Sequence, residues 1–220
     1  MEAKFDILSA ASIFEGVEKE DLKKAVACLS AGEKTFAGNT YVLRADERVD
    51  SLGIVLDGCV KVIKEDYWGN RDIMGKMGRG QIFAETYACI PEIKLDVSVV
   101  AETESTILFL DVGKILSPCS KVCGYHERII QNLISVMARK NLYMNEKLTH
   151  VTMRTTRGKL LSYLSGASKG QDDPFEIPFD RQELADYLSV DRSAMSKELC
   201  AMRDDGIIEF KKNRFKLMRK

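Results

Sequence analysis

The 220-residue sequence is poor in several features that would place it quickly. Histidine occurs only as His126 and His150, and residues 1–118 contain none. A cupin-type metalloenzyme, which lines its β-barrel with histidines, therefore has no ligands here. There is no CxxC pair to make a zinc ribbon or a thioredoxin-like site. No P-loop, GxSxG or HExxH pattern appears, so the sequence gives no sign of an enzyme. No uncharged apolar run approaches the length of a membrane span. The start, MEAKFDILSAASIF, lacks a basic stretch leading into an apolar one, so no secretory signal is visible and a cytoplasmic protein is expected. In that compartment Cys28, Cys59, Cys89, Cys119, Cys123 and Cys200 are expected to be thiols rather than a disulfide framework.

What is present is unevenly spread. The formal net charge is zero, yet residues 154–220 hold 14 Lys/Arg against 11 Asp/Glu. The closing IIEFKKNRFKLMRK has Glu209 as its only acid. A basic end on a mildly acidic body suits nucleic-acid contact, although taken alone it is more often a solvated tail. Near the start, KEDLKKAVACLS places Leu22, Val26 and Leu29 on one helical face. From about residue 33 to 110 the chain turns to short β-rich runs: SLGIVLDG, CVKVIKED, RDIMGKMG and DVSVVAETESTILFLD. Glycine-containing turns at 57–58, 69–70 and 78–80 separate them, which predicts an antiparallel sandwich or roll.

Ser117-Pro118 has the form of a helix start, serine as N-cap and proline at the first position. A long helix is expected from there to about residue 152. Within it Ile130, Ile134, Met137, Asn141, Met144, Leu148 and Val151 recur at alternating spacings of 4 and 3. That is a heptad seam with one polar member, and no second long helix exists in the chain to cover it. Pairing with another copy along this seam is the expectation.

The segment FDRQELADYLSVDRSAMSKELCAMRDDGIIEFKKNRFKLM is the most informative. Asp180 and Glu183 form a capping-box pattern, and Leu184 and Leu188 give that helix a buried face. After Ser189-Val190, Asp191 caps a second helix that buries Met195, Leu199 and Met202. Helix, tight turn and helix in this order are helix-turn-helix geometry, whose second helix enters the major groove. Its opposite face shows Arg192, Ser193, Ser196 and Lys197, the candidates for reading base edges. A basic β-hairpin follows. Arg181 and Gln182 on the first helix, with Lys211, Lys212 and Arg214 on the hairpin, are candidates for phosphate contact.

These features together resemble the CRP/FNR family of bacterial transcription regulators over nearly the whole chain. RQELADYLSVDRSAMSKEL is similar to the family's DNA-reading segment, and IVLDGCVKV with GQIFAETYAC to its effector-holding β-roll cassette. The resemblance implies an α+β chain: an antiparallel β-roll (1–118), a dimerisation helix (119–152) and a C-terminal winged helix-turn-helix (153–220). It also implies a homodimer on double-stranded DNA, RNA polymerase as a partner, and a small-molecule effector. The family's pocket positions fall on Phe83, Ala84, Glu85 and Thr86, then Leu95 and Asp96, and from the helix Lys140 and Asn141.

In cyclic-nucleotide-binding members an Arg-Ser pair holds the cyclic phosphate, and here those positions are Leu95 and Asp96. A unit charge pair at ~4 Å is worth about 4 kcal/mol at an effective dielectric near 20. Replacing attraction by repulsion makes cyclic AMP a poor effector. The family's N-terminal iron–sulfur cluster needs several cysteines where this chain has only Cys28. Cys119, Cys123 and His126 do share one helical face, which leaves open a haem- or thiol-based redox or gas sensor. Packing of small apolar thiols explains the same spacing.

Overall fold

A computed structural model describes residues 2–65, 67–68, 71–117, 123–169 and 174–218. The elements run α1 (Glu2–Ala10), α2 (Lys19–Cys28), β1 (Gly32–Phe36), β2 (Tyr41–Leu43), β3 (Ser51–Asp57), β4 (Val60–Glu65), β5 (Arg71–Met77) and β6 (Ile82–Phe83). They continue with α3 (Glu85–Ala88), β7 (Ser98–Ala101), β8 (Ser105–Asp111), α4 (Val112–Leu116) and α5 (Gly124–Val151). The last third is α6 (Thr156–Ala167), β9 (Phe175–Glu176), α7 (Arg181–Leu188), α8 (Arg192–Asp204), β10 (Ile208–Lys211) and β11 (Arg214–Leu217). The fold class is α+β, and the chain divides into two compact units, Met1–Ala138 and Arg139–Lys220.

In the first unit two antiparallel four-stranded sheets, ordered β1-β8-β3-β6 and β2-β7-β4-β5, form the roll. Strand β3 shows why they sit where they do. Leu52, Ile54 and Leu56 alternate with Gly53 and Val55, and all four apolar side chains are buried. With period two, one set faces the helices and the other faces the second sheet. Leu52, Ile54 and Leu56 join Leu108 and Leu110 of β8 in a core with α1, α2 and α4. Val55 packs instead with Val60, Phe83, Val99 and Ile107 inside the roll. A Cβ at Gly53 would come within 2.2 Å of the Phe83 ring, so a side chain there forces the ring or the strand to shift.

The first half of α5 belongs to this unit. Ile129, Leu133 and Val136 are buried in the helical side of its core. Ser117, expected as the N-cap of the long helix, is instead the C-cap of α4, its hydroxyl donating to the Gly113 carbonyl at 2.7 Å. The described part of the long helix starts at Gly124, and Pro118 and Cys119 lie outside the described residues. Among the described residues no helix is long and apolar enough to cross a membrane.

The second unit packs α6, α7 and α8 against the three-stranded sheet β10-β11-β9. Its core is Leu160, Leu164, Leu184, Leu188, Met195, Leu199, Met202, Ile208 and Phe215, all at most 1 % exposed.

Candidate nucleic-acid interface and sensor site

The capping box expected at Asp180 forms in full. The Asp180 carboxylate accepts from the Glu183 amide and Glu183 from the Asp180 amide, both at 2.8 Å. Helix α7 then ends on Ser189, which is left-handed at φ 52° and ψ 59°. A non-glycine residue pays about 1–2 kcal/mol for that backbone. The ammonium of Lys159, on α6, donates to the carbonyls of Leu188 and Ser189 at 3.0 and 3.2 Å and so ties the turn down. Lys159 was not legible as a site residue, because its partners are thirty positions away and only the fold joins them.

Asp191 caps α8 by accepting from the Ala194 amide at 2.7 Å. With Met195, Leu199 and Met202 turned inward, Arg192, Ser193 and Lys197 are exposed on the first turns of α8 and Ser196 is half-buried. Arg157 fixes the back of this helix, its guanidinium reaching Glu198 at 2.5 Å and Asp205 at 2.7 Å. The hairpin β10–β11 closes through the two residues Lys212 and Asn213, with Lys212 left-handed at φ 56°. Asn213 is held on the other side by Glu176 at 2.7 Å. Gln182, Lys211, Lys212 and Arg214 are exposed. Arg181 differs. It is half-buried, and its guanidinium lies over the rings of Phe210 and Phe215 and donates to the Lys212 carbonyl.

The second half of α5 brings His150 into an aromatic cluster of the same unit. His150 is buried against Tyr163 and Tyr187, and its Nδ1 lies 2.8 Å from the Ser162 hydroxyl. Burial holds the imidazole below the usual histidine range, against the opposing pull of Glu146. The Tyr163 and Tyr187 hydroxyls are pushed up to about 12, first by burial. Nothing in the spacing of these residues announced this cluster.

Along α5 the seam residues divide by exposure. Ile130 and Met137 are half-buried against the first unit's core, whereas Ile134, Met144 and Leu148 are 61, 58 and 57 % exposed. Asn141 is exposed and accepts from Asn145 at 2.9 Å, and Val151 is half-buried.

Of the expected pocket residues, those of the first unit cluster around the β6–α3 junction. Phe83 is buried edge-on to Phe109, and Ala84 is left-handed at φ 62°. Glu85 is 3 % exposed, while Thr86 is exposed. Leu95 is buried, its backbone paired with Asp46 and Glu47. Asp96 accepts from the Lys64 ammonium at 2.7 Å and from the Tyr87 hydroxyl, and these two bonds hold its carboxyl below the usual carboxylate range. Lys140 and Asn141 lie in the other unit.

Among the described residues no group of three His, Cys, Asp or Glu side chains is placed to hold a metal. His126 is buried with Nε2 at 2.8 Å from the Ile115 carbonyl, and its Nδ1 has no hydrogen-bond partner among the described residues.

A family model described as a cyclic nucleotide-binding domain matches residues 33–121, and one described as a Crp-like helix-turn-helix domain matches residues 158–219. The chain belongs to the CRP/FNR family of transcription regulators. Three solved structures share the CRP/FNR fold seen here. CprK complexed with OCPA aligns with a TM-score of 0.66 at 16 % identity, covering 90 % of this chain and 89 % of that one. The c-di-GMP responsive global regulator CLP of Xanthomonas campestris aligns at 0.58 and 16 % identity, covering 92 % and 100 %. The catabolite activator protein of Thermus thermophilus aligns at 0.51 and 18 % identity, covering 94 % of each. No curated protein matches the sequence.

Proposed function

We propose that this CRP/FNR-family chain is a cytoplasmic homodimer that reads a two-fold symmetric site on double-stranded DNA under the control of a small-molecule effector. The observation that carries the reading is the exposed first turns of α8, where Arg192, Ser193 and Lys197 stand opposite the buried Met195, Leu199 and Met202. Arg192 suits the two acceptors of guanine, and Ser193, Ser196 and Lys197 can serve neighbouring base edges. Gln182 and the hairpin cations Lys211, Lys212 and Arg214 suit phosphates. The exposed apolar stripe Ile134, Met144 and Leu148 supports pairing of two chains through α5. RNA polymerase is the downstream partner that family membership suggests.

The effector is read as something other than cyclic AMP. Asp96 already has Lys64 and Tyr87 as partners and offers a nucleotide phosphate only like charge. Phe83, Ala84, Glu85, Thr86 and Leu95 complete the proposed pocket within the first unit, which suits a ligand less anionic than a nucleotide. The Nδ1 of buried His126, without a hydrogen-bond partner among the described residues, favours a second reading. In it, His126 works with Cys123 and Cys119, which lies outside the described residues, in haem- or thiol-based sensing.

Two measurements test the main reading. Anisotropy titration of the purified protein against promoter fragments should show salt-dependent binding with a preference for a palindromic fragment, and equal affinity for all fragments would refute it. Calorimetry should detect no binding of cyclic AMP or cyclic GMP, and micromolar affinity for either would overturn the assignment of Asp96.

A further inference from the structure

Among the cations on the proposed DNA-facing surface, Arg181 is set apart by its surroundings. Lys197, Lys211, Lys212 and Arg214 are exposed, whereas Arg181 is half-buried at the first position of α7. Its guanidinium carbon stands 5.0 Å from the centre of the Phe210 ring and 5.2 Å from that of Phe215. Its Nη2 donates a 2.8 Å hydrogen bond to the carbonyl of Lys212. A planar cation so placed uses its face on the aromatic rings and one edge on the backbone. To reach a phosphate it would have to give up both.

The carbonyl that Arg181 holds belongs to Lys212, the first of the two loop residues of the hairpin and left-handed there. Glycine is the usual occupant of a left-handed position in such a tight loop, because it has no Cβ to crowd the backbone. Lysine keeps the conformation only if its surroundings hold it. Arg181 supplies that hold from the α7 side, and Asn213, bonded to Glu176 and to the Ile177 carbonyl, supplies it from the β9 side.

We propose that Arg181 is a positioning residue for DNA binding, which fixes the hairpin turn against α7 so that Lys211 and Lys212 are presented to the phosphate backbone. This rests on the DNA-binding reading above, and it replaces the direct phosphate contact that the sequence suggested for Arg181. The stacked and bonded guanidinium, rather than its charge, carries the role, so a lysine cannot replace it.

The test compares the full-length wild type with Arg181→Lys, Arg181→Met, Lys212→Ala and the double variant Arg181→Met/Lys212→Ala, by anisotropy titration on one palindromic fragment over a range of KCl. Arg181→Lys and Arg181→Met should weaken binding to a similar degree, by roughly tenfold. Lys212→Ala should then cost little more in the Arg181→Met background than the latter costs alone. If Arg181→Lys keeps the wild-type affinity and salt slope, and Arg181→Met and Lys212→Ala multiply independently, Arg181 touches phosphate and the proposal fails. Should Arg181→Met melt below the assay temperature, Phe210→Leu removes the stack from the opposite side and must reproduce the loss; wild-type affinity in that variant refutes the proposal. Wild-type protein without salt-dependent binding would instead overturn the DNA-binding reading itself.

Discussion

The proposed pairing of two chains through α5 should break at Ile134 with little cost to the fold of either. Ile134 is 61 % exposed, while Ile129, Leu133 and Val136 on the adjoining face anchor the helix in its own core. Met137 is less suitable, since it also packs against that core. Burying a whole isoleucine side chain is worth ~1.5–3 kcal/mol, so the exposed part of Ile134 contributes roughly 1–2 kcal/mol per chain on pairing. Ile134→Glu forfeits this twice and sets two carboxylates face to face. At about 6 Å and an effective dielectric near 20, their repulsion adds about 3 kcal/mol. A total of at least about 5 kcal/mol raises the dimer dissociation constant by more than three powers of ten. Glutamate is a good helix former, so the thermal midpoint of each unit should hardly move. Light scattering at ~10 μM should report a dimer for the wild type and a monomer for Ile134→Glu, with specific DNA binding lost. A variant that stays dimeric would show that the interface lies elsewhere.

Arg192→Ala should lower affinity for the specific fragment by ~1–3 kcal/mol and leave non-specific binding nearly intact, whereas Lys211→Ala should reduce the salt slope by about 0.9; competition titrations with unrelated DNA separate the two. Ser189→Gly should stabilise the second unit by about 0.5–1 kcal/mol in urea unfolding, since relief of ~1–2 kcal/mol of backbone strain outweighs the ~0.4–1 kcal/mol cost of added chain freedom. Destabilisation there would mean that the serine hydroxyl matters to the turn. His150 predicts a pH effect of definite sign: burial depresses its folded pKa, so below about 6.5 the unfolded chain binds the proton first and stability falls as pH falls. Wild type should lose stability relative to His150→Gln between about pH 7.5 and 5, and a constant difference across that range would refute the assignment.

The parts legible in the sequence were those written in local spacing. Asp180 with Glu183 gave the start of α7, and Met195, Leu199 and Met202 gave the inward face of α8. The stripe from Ile130 to Val151 was visible as well, but it hid a second one. Ile129, Leu133 and Val136 run beside it one position out of phase, and a heptad count does not separate a face turned to the roll from a face left open. Strand β1, within the β-rich stretch but not singled out, is an edge strand that pairs with β8 among the described residues, and four of its five residues are exposed. Ser117 was misread because a serine hydroxyl can satisfy either end of a helix, and here it serves the carbonyl end of α4. The contacts that Lys159 and Arg181 make were beyond reach for a different reason. Each acts on a carbonyl about thirty residues away, a relation that exists only once α6, α7 and the hairpin have packed.

The contact between Gly53 and Phe83 bears on how mutations in this protein will sort by phenotype. Any side chain at Gly53 must displace the Phe83 ring or the strand beside it, and Phe83 leads directly into Ala84 and Glu85. An allele in the middle of β3 would thus act on the β6–α3 junction without altering any residue there. A genetic screen for altered effector response should return substitutions at Gly53 beside those at Glu85 and Asp96. Their carriers would keep a well-folded DNA-binding unit, because that unit has its own core.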